Sequence, residues 1–115
     1  MRYRTFGHSN LEVSEVGIGT WTLASDWWGK VDNPDALLHA ALDEGVNFID
    51  TAPVYGEDGV GELMLAPFLA AKRDQIVLTT KCGYDIDAPR KSSQQSARPH
   101  DWRPEAVRAQ LEASL

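Results

Sequence analysis

The chain has 115 residues, a formal net charge of −6 and a hydrophobic share of 43%. That length allows one domain or part of one. The hydrophobic share is too high for a disordered chain, and the acidic balance argues against nucleic acid as a partner, because phosphate binding needs a basic surface. The single cysteine, Cys82, cannot form an internal disulfide and makes a reducing cytoplasm the default compartment. The N-terminal stretch MRYRTFGHSN has no signal-peptide h-region, and no segment approaches the ~18 apolar residues of a membrane span.

Residues 2 to 15 hold two short patterned runs, YRTF and LEVSE, around GHSN, where Gly7 and Asn10 suit a turn. This predicts a hairpin. Val16 to Trp21, VGIGTW, reads as a short apolar strand whose glycines let another backbone or a ligand approach closely. Asn33-Pro34 then starts a helix, with Asn33 as cap and Pro34 at the first helical position. Leu37, Leu38, Ala41 and Leu42 give it an apolar stripe, and Gly45 suits its stop. Val46 to Ala52 follows as a strand. A second helical segment covers about 60 to 71, with Leu63, Leu65, Phe68 and Leu69 apolar, and Pro67 should break it. Ile76 to Cys82, rich in β-branched residues, reads as the third strand.

Residues 84 to 102 have no period and much polarity, a length of loop that is usually functional or disordered. Pro104 opens a last helix with Val107, Leu111 and Leu115 on one face; Arg103 is a poor cap, so Asp101 or water should satisfy its first N–H groups. Alternating β and α elements with short apolar strands mean a parallel sheet, buried on both faces and covered by helices. The final helix reaches Leu115 without a glycine or a basic last turn, so a further strand is expected after it. Three parallel strands also leave two open sheet edges. An eightfold β/α barrel takes about 250 residues, and the expectation is the first part of such a barrel, truncated at 115. A small complete α/β domain is the competing reading.

Three motifs, GIGTW at 17 to 21, EGVNFIDTAPVYG at 44 to 56 and TTKCG at 79 to 83, resemble the aldo-keto reductases in order and spacing. The N-terminal hairpin fits as well; in that family it plugs the bottom of the barrel. The resemblance covers the whole chain as a hairpin plus the first three β/α units of a TIM (β/α)8 barrel. It implies a catalytic tetrad of Asp, Tyr, Lys and His, of which Asp50, Tyr55 and Lys81 match the first three. The histidine belongs at the end of a fourth strand, which this sequence lacks; His8, His39 and His100 occupy other places. Gly19, Thr20, Trp21 and Asp50 match positions that contact the cofactor, NADP(H) in preference to NAD(H). Trp21, Trp27 and Tyr55 match or adjoin the substrate pocket, with Trp28 in the same loop. No metal ligands are implied. The longer turn after Tyr55, GEDGVGELMLAP, Ala66-Pro67 in place of a common glycine, and Arg103 in place of a serine cap depart from the family pattern.

The residues suit this chemistry. Reduction of a carbonyl needs a hydride, supplied by a cofactor, and an acid. A free tyrosine has a pKa of about 10, and a neighbouring ammonium favours its phenolate. Lys81 is the candidate ammonium, and Asp50 the carboxylate that pairs with it and offsets its burial. Alternation puts Asp50 on one strand face with Phe48, and Lys81 with Thr79 and Val77. Both charges fall at C-terminal strand ends, where barrel enzymes place their chemistry. Taken singly, Asp50 is a turn cap, Tyr55 a turn aromatic and Lys81 an exposed strand end; their joint spacing carries the functional reading. Alternation points Cys82 toward the helices as a packed small residue. Residues 84 to 102 suit a substrate lid or a disordered loop. The expected function is reduction of small-molecule aldehydes or ketones, inactive in this segment alone. The alternatives are a cofactor-sensing regulatory subunit like the potassium-channel β subunits, and a half-barrel whose open edges are covered by another chain.

Overall fold

The computed structural model describes residues 1–26, 29–56, 59–89 and 98–114. Strands β1 (Tyr3–Thr5) and β2 (Glu12–Ser14) form the expected antiparallel hairpin, with Tyr3 opposite Ser14 and Thr5 opposite Glu12. Then come β3 (Gly17–Gly19), α1 (Pro34–Asp43), β4 (Phe48–Asp50), α2 (Val60–Leu63), α3 (Ala66–Lys72), β5 (Val77–Thr79) and α4 (Pro104–Ser114). A short 3₁₀ turn, Arg73–Gln75, joins α3 to β5. The sheet is parallel in the order β3-β4-β5. Its paired core is shorter than the apolar runs that announce it, although backbone hydrogen bonds extend it at both ends: Val77 N–H to Asn47 O, Thr20 N–H to Asp50 O and Thr51 N–H to Thr79 O.

The ends of α1 follow from chemistry a few residues wide. Asn33 Oδ1 accepts from Ala36 N–H at 3.0 Å, and Pro34 occupies the first turn, where no N–H is missed. At the other end Gly45 adopts φ +86°, its N–H bonds Leu42 O, and Val46 N–H bonds Ala41 O. This pair of bonds closes a helix through a left-handed glycine. The second helical segment is split as Pro67 requires: α2 stops at Leu63, and α3 restarts with the proline in its first turn.

Register assigns the two sheet faces. Gly17 is opposite Phe48 and Phe48 opposite Val77; Gly19 is opposite Asp50 and Asp50 opposite Thr79. These residues share one face. Ile18, Ile49 and Leu78 share the other, where Ile49, Leu38, Leu65, Phe68 and Ile76 form the buried core and Ile18, Leu42, Leu69 and Leu78 pack around it. The apolar stripes are narrower than expected: Leu37 and Leu63 are exposed. The sheet is not buried on both faces either. The helices cover only the Ile49 side, and the strands are mostly half-buried.

The hairpin lies against the N-terminal end of the strands. Asn47, just before β4, fastens it: its Oδ1 accepts from Ser14 N–H at 2.7 Å, its Nδ2 donates to Glu12 O at 2.9 Å, and its N–H donates to Ser14 Oγ at 3.1 Å. Phe6 packs on Phe48, ring centroids 5.4 Å apart. Tyr3 Oη donates to Gly45 O at 2.8 Å.

Helix α4 departs from its apolar periodicity. Leu111 is exposed and Gln110 is buried in its place. The Gln110 side chain accepts from Gly83 N–H at 2.9 Å and donates to Tyr84 O at 2.9 Å. The helix face turned inward is therefore the one that satisfies the backbone leaving β5. Leu115 lies outside the described residues. Asp101 takes the expected role: its Oδ1 accepts from Arg103 N–H at 3.1 Å. The long loop has an ordered base. Asp85 N–H bonds Pro99 O, Asp101 N–H bonds Gly83 O, and Tyr84 and His100 form an antiparallel bridge. Residues 90–97 lie outside the described residues, so neither a lid nor disorder is assigned to them.

Candidate active site

Three side chains meet at the C-terminal end of the parallel strands. Asp50 closes β4, and Lys81 follows β5. Lys81 Nζ is hydrogen-bonded and ion-paired to the Asp50 carboxylate, and donates to Thr51 O at 3.0 Å. Tyr55 stands in the turn after β4, and Lys81 Nζ lies 4.7 Å from the centroid of its ring. Burial pulls the Lys81 pKa down, but hydrogen bonding to Asp50 and Tyr55 and the charges of both outweigh it. The lysine is held above its ordinary value and stays an ammonium through the neutral range.

Tyr55 is seated by its neighbours. Its N–H donates to Ala52 O, and its carbonyl accepts from Gly61 N–H at 2.8 Å. A Cβ on Gly61 would lie 2.6 Å from Tyr55 Cβ, so only glycine lets α2 approach this turn so closely. Gly56, the next residue after Tyr55, adopts φ +73° and lies under Ala24 O.

The other expected site residues separate into two groups. Gly19 lies on the same face as Asp50, and space beyond its Cα is open. Trp21 is half-buried at the end of β3. Thr20, expected beside the cofactor, is held inside the chain. It is fully buried, its hydroxyl donates to Thr51 Oγ1 at 2.8 Å, its N–H bonds Asp50 O, and its carbonyl accepts from Leu23 and Ala24. Every polar group of Thr20 is spent inside the chain, so its part is to tie β3 to β4. Trp27 and Trp28 lie outside the described residues. Cys82 is exposed rather than packed. Sequence reasoning missed Gly61 and the buried Thr20–Thr51 pair. A glycine inside the first turn of the broken helix was a usable signal; the threonine pairing was not, since it joins residues from separate strand ends.

The inner sheet face and the hairpin enclose an open cleft of about 520 Å³ lined by Phe6, Gly17, Gly19, Phe48 and Asp50, among others. Gly19, open beyond its Cα, and the Asp50 carboxylate stand opposite each other in this cleft. Among the described residues no group of three His, Cys, Asp or Glu could hold a metal ion, and no helix is long and apolar enough to cross a membrane.

Comparison with known proteins places this arrangement. The chain is 37% identical over 91 residues to the aldo-keto reductase YhdN of Bacillus subtilis, covering 74% of this chain and 27% of that protein. It is 36% identical over 91 residues to a probable voltage-gated potassium channel subunit beta of Oryza sativa, covering 77% and 27% of the two chains. The solved glycerol dehydrogenase of Gluconobacter oxydans superposes with a TM-score of 0.76 at 35% identity, over 98% of this chain and 34% of that one. The chain thus spans about a quarter to a third of the lengths of these relatives. The fold is the N-terminal part of a TIM (β/α)8 barrel, its hairpin and first three β/α units, as the strand order leads one to expect. The model of the aldo/keto reductase family matches residues 15–115, and the chain belongs to that family.

Proposed function

We propose that this chain carries the Asp50, Tyr55 and Lys81 part of the active site of an NADP(H)-dependent aldo-keto reductase that reduces small-molecule aldehydes or ketones to alcohols. The observation that supports it most is the Lys81 ammonium lying between the Asp50 carboxylate and the Tyr55 ring. Tyr55 is the proton donor to the carbonyl oxygen. Lys81 stabilises the charge left on the phenol oxygen, and Asp50 with Thr51 O fixes the position of Lys81. The cofactor, when bound, supplies the hydride. Gly19 and Asp50 would hold it, with Trp21 at the border of the substrate pocket. In this reading residues 1–115 are the N-terminal part of a single barrel domain in a cytoplasmic enzyme. The remainder of the barrel, or another chain, covers the outer edges of β3 and β5, and the segment does not turn over alone.

The similarity to a potassium channel subunit beta favours one second reading, a cofactor-sensing regulatory subunit that keeps the same side chains. Tyr55→Phe in the full-length chain tests the first. It should abolish reduction of a panel of aldehydes while leaving NADPH affinity, read by fluorescence quenching, within about twofold. Near-normal turnover by the variant would refute Tyr55 as the acid. A wild-type chain that binds NADPH tightly and reduces no carbonyl would support the regulatory reading.

A further inference from the structure

Lys81 lies two residues beyond the last paired residue of β5, so the sheet ladder does not by itself fix its backbone. The residue before it, Thr80, donates its hydroxyl to Glu62 Oε1 at 2.5 Å. The other oxygen of Glu62, Oε2, accepts from Ser114 Oγ at 3.1 Å, at the end of α4. Glu62 follows Gly61, the residue on which the Tyr55 turn rests through Gly61 N–H to Tyr55 O. Gly61 O in turn accepts from Thr51 Oγ1 at 3.0 Å. One dipeptide therefore touches the Tyr55 turn on its Gly61 side and the Lys81 segment on its Glu62 side.

We propose that Glu62 is a positioning residue: through Thr80 and Ser114 it clamps the Lys81-bearing segment and the end of α4 to the helix that seats Tyr55, and so sets the Lys81–Tyr55 separation. The inference rests on the reductase reading for its kinetic consequence, but not for its structural one. A carboxylate suits the task because each of its two oxygens accepts one hydroxyl, whereas the amide of glutamine keeps only one acceptor oxygen. Among the described residues the side-chain hydrogen bonds of Glu62 run to Thr80 and Ser114, so its hold on Lys81 passes through Thr80.

Thr80→Val is the sharpest variant, since it breaks the clamp and leaves the charge of Glu62 in place. In the full-length chain it should lower kcat for carbonyl reduction ~10-fold or more, a misplacement effect, with KM for NADPH unchanged. The Lys81 side-chain titration, followed by ¹³C NMR, should shift down toward the ordinary lysine value. Thr80→Ser should restore both. Glu62→Ala should match Thr80→Val in kcat, and the double variant should lose nothing further. A Thr80→Val protein with wild-type kcat and an unmoved Lys81 titration would overturn the clamp, even if its thermal midpoint fell. A wild-type chain without reductase activity would refute the functional reading alone; the Lys81 titration would still decide the clamp.

Discussion

Replacing Asp50 with asparagine separates what the ion pair does for stability from what it does for Lys81. Asn keeps the shape of the side chain and removes its charge. The pair is far from buried: the Asp50 and Lys81 side chains retain 35% and 47% exposure. A fully desolvated pair broken on one side would cost ~3–5 kcal/mol, whereas solvent screening brings exposed pairs to ~0.2–1 kcal/mol. The exposure selects the second figure, and Thr51 O remains to accept from Lys81 Nζ. Urea unfolding of the full-length variant should therefore show a loss of about 1 kcal/mol or less. The effect on the lysine is larger in kind. Its pKa stands above 10.5 because, against the downward pull of burial, the hydrogen bonds and charges of Asp50 and Tyr55 prevail. Removing Asp50's share must lower it. A raised lysine pKa contributes stability that is complete below 10.5 and is lost as pH rises through the folded value. The alkaline fall of stability should therefore begin near 10.5 in both proteins, but be smaller and end at lower pH in the variant. With Lys81 less firmly held, kcat should drop ~100-fold. A Lys81 titration by ¹³C NMR that is unmoved or moves up would refute the reasoning, as would an unfolding cost of about 3 kcal/mol or more.

Gln110→Leu should destabilise the chain by ~1–3 kcal/mol in urea unfolding, although it adds apolar surface, because Gly83 N–H and Tyr84 O lose their partner. Phe68→Ala, which empties a fully buried position in the core and removes the edge-on contact with His39, should cost ~3–5 kcal/mol in the same assay. The Asp101 carboxyl is held at about 2, below its ordinary 3.8, by side-chain and backbone hydrogen bonds from Arg103. Its contribution is present above 3.8 and lost as pH falls through about 2. Carboxyl ¹³C NMR should show that midpoint in the wild type and a return toward 3.8 in Arg103→Gln.

What the sequence made legible depends on how local each cause is. The ends of α1 are set by Asn33, Pro34 and Gly45, each acting on backbone groups a few residues away, and they fall where those residues stand. The inward face of α4 was not legible. Its apolar period marks Leu111, but the determining partners, Gly83 N–H and Tyr84 O, lie far off in the chain and select Gln110. The Thr20–Thr51 hydroxyl pair was not legible for the same reason, since its two members lie 31 residues apart in the chain.

The most instructive contrast is between Lys81 and its neighbour. Strand alternation placed Lys81 with Asp50 and Cys82 with the helices, and only the first placement holds. The pairing of β5 ends at Thr79, so beyond it the period of two no longer governs where a side chain lies. Cys82 is short and uncharged, has nothing to reach for, and stays exposed. Lys81 has a long flexible stem and a charge, and it reaches a carboxylate on the adjacent strand whatever the parity of its backbone. Its convergence with Asp50 and Tyr55 thus comes from electrostatics and side-chain length rather than from pleat. For that reason the backbone of Thr80-Lys81 needs a separate anchor, and Glu62 is the residue placed to supply it.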